Sequence, residues 1–377
     1  MFYLKRFFSG YTAGEKLLSL FILLLFFSSL YFVHNNFFLY KQTIAEVKES
    51  HITETTEIVD TYQNEDKLFL QQLQVSIKNG SEKGEIITLE NSYSASQVYD
   101  SEYKPGQHLF ISTEINENGQ INGTILDVKR DQYLVLAGWV FVIILLLVGR
   151  KQGFFSILSL LINAWLLSYA LDLYLKNANW SLLLICSISV ILFTVSSLLI
   201  VNGANEKTYA AIAATLLGTF LSLLITVLVF WVTAERGLRY EELQFITRPY
   251  REVFLAGLFL GSLGAVMDVA ITLSSSLFSM YEKNHHISVK TLKKSGLEIG
   301  RDIMGTMTNI LFFAYISGSI PILILYFKNA SPLGYTLSLN LSLEMARALA
   351  GGIGIVLTIP IGLYTAIFFI NRKRLKT

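Results

Sequence analysis

Charge is scarce in this chain: Asp, Glu, Lys and Arg make up 15% of 377 residues, against about 25% in soluble domains. Cysteine is nearly absent. The one copy, Cys186, lies in an apolar segment, which excludes a disulfide framework and a thiolate metal site. The five histidines (His34, His51, His108, His285 and His286) show no H-E-x-x-H or related spacing. No G-x-x-x-x-G-K-[ST] loop occurs, so the chain is not expected to hydrolyse ATP. No resident metal, cofactor or nucleic-acid partner is expected, and no enzyme activity.

What the chain has is apolar sequence: 53% of it is hydrophobic. Runs long enough to span a bilayer, about 20 residues each, occur about eight times. They lie near 15–34, 132–150, 153–175, 178–201, 208–234, 252–280, 299–327 and 343–370. The first follows Lys5, Arg6 and Lys16 with no small-x-small cleavage site after it, and reads as an uncleaved anchor. The expected fold class is an all-α polytopic membrane protein of about eight transmembrane helices, with the lipid bilayer as its first partner.

Lysine and arginine set the orientation. With the N-terminus inside, residues 1–16, 150–151, 207, 283–301 and 372–376 carry fifteen of them, against six in the short outer loops. Both termini are therefore expected in the cytoplasm and residues 41–131 outside. That insert holds sixteen acids and eight bases. Its turn signals are Asn79-Gly80, Pro105-Gly106 and Asn118-Gly119, and the runs LQVSI, GEIITL, HLFISTEI and GTILDV alternate between them. This pattern predicts a small external β-barrel of OB or SH3-like type from about residue 68 to 130. Residues 41–66 read as a polar connector or helical entry. The expected domains are 1–40 (N-terminus and first helix), 41–131 (extracytoplasmic β domain) and 132–377 (seven-helix transmembrane domain).

Polar residues inside the apolar runs are the candidate sites. Gly257, Gly261, Gly264, Asp268, Thr272 and Ser275 recur at helical spacing. Small residues admit a second helix, and an ionised carboxylate facing hydrocarbon costs at least about 2.5–3.5 kcal/mol. Asp268 is therefore expected to face protein or a water-filled cavity. In the next run Asp302, Thr306 and Asn309 share a face, with Gly305 beside it, and Asn309 is expected at the depth of Asp268. Arg301 and Asp302 are placed at the inner mouth, where Asp302 also suits a helix N-terminus. The last run repeats the pattern with Glu344, Arg347, Gly351 and Gly354. Glu344 and Arg347 read as an outer-end charged pair. Gly257, Gly261, Gly264, Gly305, Gly351 and Gly354 read as helix-packing residues. Asp268, Thr272, Asn309, Thr306, Asp302 and Arg301 form a candidate proton or substrate pathway.

The stretches GSLGAVMDVAITLSSSL, GRDIMGTMTN and EMARALAGGIGIVLTIPI resemble the YibE/F-like family of bacterial membrane proteins over roughly residues 130–370. The resemblance implies a multi-pass protein of the bacterial plasma membrane, often one of two related products, so a related YibE/F-like protein or a second copy is an expected partner. At fold level the last three runs are also similar to SecDF and other RND-type permeases, which relay protons through intramembrane acids. The leading expectation is a permease or export-accessory protein coupled to protons through Asp268. A non-transporting scaffold whose β domain recruits partners is the alternative. An intramembrane aspartyl protease is disfavoured, because the second motif reads Ile299-Gly300-Arg301-Asp302 and Asp302 sits about 10 Å from the depth of Asp268.

Overall fold

The computed structural model describes residues 13–97, 100–115, 121–177, 180–240 and 248–375. The chain divides into two compact units, residues 1–145 and 146–377.

The first unit opens with α1 (Ala13–Asn35) and a single 3-10 turn (Asn36–Leu39). Five strands follow: β1 (Thr43–Val59), β2 (Glu65–Ile77), β3 (Ile86–Ser94), β4 (His108–Ile115) and β5 (Ile121–Val128). They form one antiparallel sheet in the order β3-β2-β1-β4-β5. Of the expected small β-barrel, the structure gives this five-stranded antiparallel sheet, which is not closed by hydrogen bonds among the described residues. Among the described residues β3 and β5 share no ladder, although they lie against each other where Gly123 meets the side chains of Leu89 and Ile87. Ala45, Val47, Leu73, Val75, Ile77, Leu89, Leu109 and Ile111 form the core.

Residues 41–66 are corrected too. Most of this segment is β1, the central strand, and not a connector or helical entry. Its Thr, Ile and Val residues favour extension. Beyond Lys48, however, both faces of β1 are largely exposed, so no apolar alternation marks it in the sequence. The β1–β2 hairpin turns on Asp60, whose Oδ1 accepts the amides of Tyr62 and Asn64 at 2.8 Å, an Asx-type turn. Gly80 and Gly106 have φ of +85° and +87°, as their turns require. Asn118-Gly119 lies outside the described residues.

Helix α2 (Asp131–Lys176) begins in the first unit and continues into the second, with a break at Arg150 (φ 47°, ψ −124°). The second unit continues with α3 (Leu182–Asn202), α4 (Glu206–Thr233), α5 (Tyr250–Lys283), α6 (Val289–Ser317), α7 (Ile320–Lys328), α8 (Leu333–Asn340) and α9 (Ser342–Arg374). Six helices among the described residues are long and apolar enough to cross a membrane, or seven if the bent pair α6–α7 counts as one span. The expected run 299–327 is therefore revised. Its helix starts a full ten residues earlier, because Ser288 caps it by accepting the Thr291 amide at 3.0 Å. It breaks by 60° before α7, where Pro321 occupies the first turn of the new helix and has no amide to continue the old one.

Helix α9 is central, packing on α4, α5 and α6. The approach is close because the contacts are small. A Cβ on Gly218 would strike Thr358, one on Gly354 would meet Val266 and Ser222, and one on Gly362 would meet Leu273 and Ala214. Small residues are the usual means of bringing helices together in lipid, where no hydrophobic force separates helix from solvent.

Candidate functional site

Helix α5 buries the face carrying Phe254, Leu258, Leu273 and Leu277. The opposite face carries Gly257, Gly261, Gly264, Asp268 and Thr272, and all five are exposed. Asp268, expected to face protein or a water-filled cavity, is exposed in the single chain: the carboxylate has no hydrogen-bond or ion-pair partner among the described residues, and the stripe points away from the helix core. Gly257 and Gly264 have open space beside them, so neither packs a helix within this chain. Gly261 does, against the Tyr315 side chain.

Helix α6 behaves likewise. Its buried positions are Leu292, Gly296, Gly300 and Leu311. Gly296 sits against Leu363 and Leu277, and Gly300 against Ile359. Arg301, Asp302, Gly305, Thr306 and Asn309 are exposed, and Gly305 meets nothing. Thr306 Oγ1 donates to its own helix at Ile303 O, 2.9 Å. Arg301, Asp302 and Asn309 have no partner among the described residues. Asp302 lies well inside the helix, so the helix-start role is withdrawn.

The contacts Leu277–Gly296 and Gly261–Tyr315 fix the level of α5 against α6. Asp268 is level with residues 305–308, and Asp302 with Thr272, about one turn or 6 Å nearer the 284–288 loop. Asn309 falls within a turn of Asp268 in depth. The structure brings these residues within about two turns of depth on two neighbouring helices, but it forms no hydrogen-bonded chain between them among the described residues.

The glycines of α9 do pack. Gly351 is buried against Leu311 and Ser262, and Gly354 against Val266 and Ser222. Glu344 and Arg347 are mostly buried and form an ion pair one turn apart, with the guanidinium 5.1 Å from the Phe254 ring centre. Nearby, Arg251 pairs with Glu235 at 2.5 Å, and Glu235 accepts the Tyr240 hydroxyl at 3.0 Å. A lateral groove of about 380 Å³ lies between α6 and α9, walled by Thr308, Phe312, Leu349, Gly352 and Val356.

One seam escaped the sequence reading. Thr208, Thr215, Thr219, Ser222 and Thr226 line the buried face of α4. Ser222 Oγ donates to Ala350 O on α9 at 2.8 Å. Thr219 and Thr226 donate to carbonyls of their own helix, and Thr358 on α9 does the same. Their spacing was visible, but uncharged hydroxyls in an apolar run carry no signal of their own.

In the first unit the polar groups are closed off. Lys129 is 6% exposed, and its Nζ donates to Val33 O at 2.7 Å and to both oxygens of Asp131 at 2.8 and 2.7 Å. Asp131 also accepts Tyr40 Oη at 2.8 Å and Asn36 Nδ2 at 3.2 Å. Asn79 Nδ2 donates to the carbonyls of Phe37, Tyr40 and Gln42. These bonds join the end of α1, the sheet and the start of α2. At one end of the β1–β4 ladder Glu46 faces His108. Burial alone would push the Glu46 carboxyl up, but hydrogen bonds from Lys78 and Lys48 outweigh it and bring it down to about 2. Burial holds the His108 imidazole down at about 4, despite the opposing pull of Glu46.

These features define a class: a helical multi-pass membrane protein with a five-stranded antiparallel domain inserted after its first apolar helix. The chain belongs to the YibE/F-like family. The model of the YibE/F-like protein matches residues 137–372, and that of the YibE/F family N-terminal domain matches residues 38–128. No curated protein and no solved structure matches the chain.

Proposed function

We propose that this chain is a multi-pass protein of the bacterial plasma membrane and one subunit of a permease or export-accessory complex, with Asp268 exchanging protons. Both termini lie in the cytoplasm and residues 41–131 outside, as the distribution of lysine and arginine requires. Eight crossings result if α2 crosses twice. Its 46 residues would extend about 69 Å if straight, twice the roughly 30 Å hydrocarbon thickness, and Arg150 marks the break. The sheet reads as a partly open barrel of OB type, since β1 is shared between β2 and β4 and β3 lies against β5.

Asp268 carries the reading. It lies about 22 Å along α5 from Lys283 by helix rise, without a partner, on a face of glycines beside the Asp302, Thr306 and Asn309 face of α6. An ionisable group at such depth marks an ion or substrate path by default. Asp268→Asn keeps the shape and removes the exchangeable proton. The expected result is loss of a growth or proton-flux phenotype at unchanged membrane abundance. Wild-type behaviour across about pH 5 to 8 refutes proton coupling.

The packed core favours a second reading. Helices α4, α5 and α9 meet through glycine, alanine and hydroxyl side chains, which suits a scaffold whose external domain recruits partners. In that case Asp268→Asn is silent, and deletion of residues 41–131 abolishes function.

A further inference from the structure

The α5–α6 face carries both signs of charge with no partner for either. Asp268 and Asp302 are acidic, Arg301 is basic, and all three are exposed on helices that pack into the core by their other sides. Some charged residues elsewhere in the same unit are paired: Glu344 holds Arg347, Glu235 holds Arg251, and Glu282 lies 3.4 Å from Lys373. Asp268, Arg301 and Asp302 have no such partner among the described residues, and they lie within about two turns of one another in depth on adjacent helices. Between them Gly257, Gly264 and Gly305 leave the backbone bare, which lets another helix come within hydrogen-bonding reach. The Tyr315 hydroxyl, against Gly261, is buried without a partner and borders the same surface.

We propose that a second copy of this chain docks on the α5–α6 face, so that the Arg301 of each copy meets the Asp268 carboxylate of the other. Charge complementarity selects the occupant. A two-fold interface presents the same patch on both sides, and a patch that carries Arg301 beside Asp268 and Asp302 is complementary to itself. A two-fold axis along the membrane normal preserves depth, and the extended arginine side chain covers the one- to two-turn offset between Arg301 and Asp268. Pairing across a helix contact removes the cost of leaving either group in hydrocarbon. The inference stands whether the chain transports or acts as a scaffold, so its failure would leave the Asp268→Asn phenotype to decide that question separately.

Two differently tagged copies of the full chain, both carrying Cys186→Ser, test the interface in native membranes. One copy carries Thr272→Cys and the other Gly305→Cys. Oxidation should give a mixed product at twice 42.4 kDa. The control replaces Thr272→Cys with Leu224→Cys, an exposed site on α4, and should give little. Arg301→Gln at wild-type abundance should lower the cross-linked fraction about tenfold, equivalent to about 1.4 kcal/mol of association. The reversed pair Asp268→Arg with Arg301→Asp should restore it. Equal cross-linking from Leu224→Cys overturns the proposal. So does a product in which mass spectrometry finds a different protein, or a face pair that gives no product while both copies are folded and present.

Discussion

Lys129 of the strand-bearing unit has a carbonyl, a carboxylate and two aromatic rings around its ammonium group. Asp268 of the helical unit has none of these. The first unit treats a buried charge as something to be saturated. Gln71, 1% exposed, similarly uses its amide nitrogen for Ser50 and Tyr103 and its oxygen for Asn91 and Tyr103. The second unit pairs Glu344 with Arg347 and Glu235 with Arg251 near helix ends, and leaves Asp268, Arg301 and Asp302 on the α5–α6 face without a partner among the described residues. A sheet can close its polar accounts within one chain, because loops and side chains reach every strand. A charge on a helix in lipid finds a partner mainly where another helix touches it, and among the described residues no helix covers Asp268, Arg301 or Asp302.

The largest expected effect breaks the first half of that comparison. A fragment of residues 41–130 should fold with a β-type circular dichroism spectrum. A fragment of residues 68–130 should stay unfolded, since it lacks β1, which pairs with both β2 and β4. A β spectrum from the shorter piece would contradict the central place of that strand. Next comes Lys129→Ala, which strands Asp131 in a partly buried site. Removing one partner of a buried pair costs about 3–5 kcal/mol, so thermal unfolding or limited proteolysis of the purified protein should show a large loss.

Two glycine substitutions sharpen the second half. Gly300→Leu drives a side chain into Ile359 and should cut the amount of folded protein, overpacking being worth about 1–3 kcal/mol or more. Gly264→Leu projects into open space and should leave abundance unchanged while removing self-association. Similar abundance for the two would erase the distinction between inward and outward glycines.

The smallest effect is pH-dependent and confined to the sheet. The His108 imidazole is held down at about 4, so its contribution is present above about pH 6.5 and fades as pH falls toward 4. The Glu46 carboxyl lies at about 2, so its contribution is present above the usual carboxylate range and fades as pH falls toward 2. Stability of the strand-bearing unit in the full chain should therefore fall with acid in two stages. His108→Gln should flatten the upper stage and spare the lower one.

Composition, run lengths and the alternation of the later strands already contained the membrane class, the inserted β domain and the family. Each follows from local chemistry: an apolar run of span length has few other uses, and a strand buried on one face must alternate. β1 was missed because its outer half is buried on neither face. The hydroxyl seam of α4 was missed because uncharged hydroxyls in an apolar run carry no signal of their own. The periodicity of Gly257, Gly261, Gly264 and Asp268 showed that they share a face, but only the tertiary structure decided which way that face points. Small residues are compatible with close contact or with exposure, and lipid is as apolar as a helix core, so the pattern alone has no inside. Packing settled it: the large side chains of α5 went to α4, α6 and α9, and the face with the aspartate was left outward.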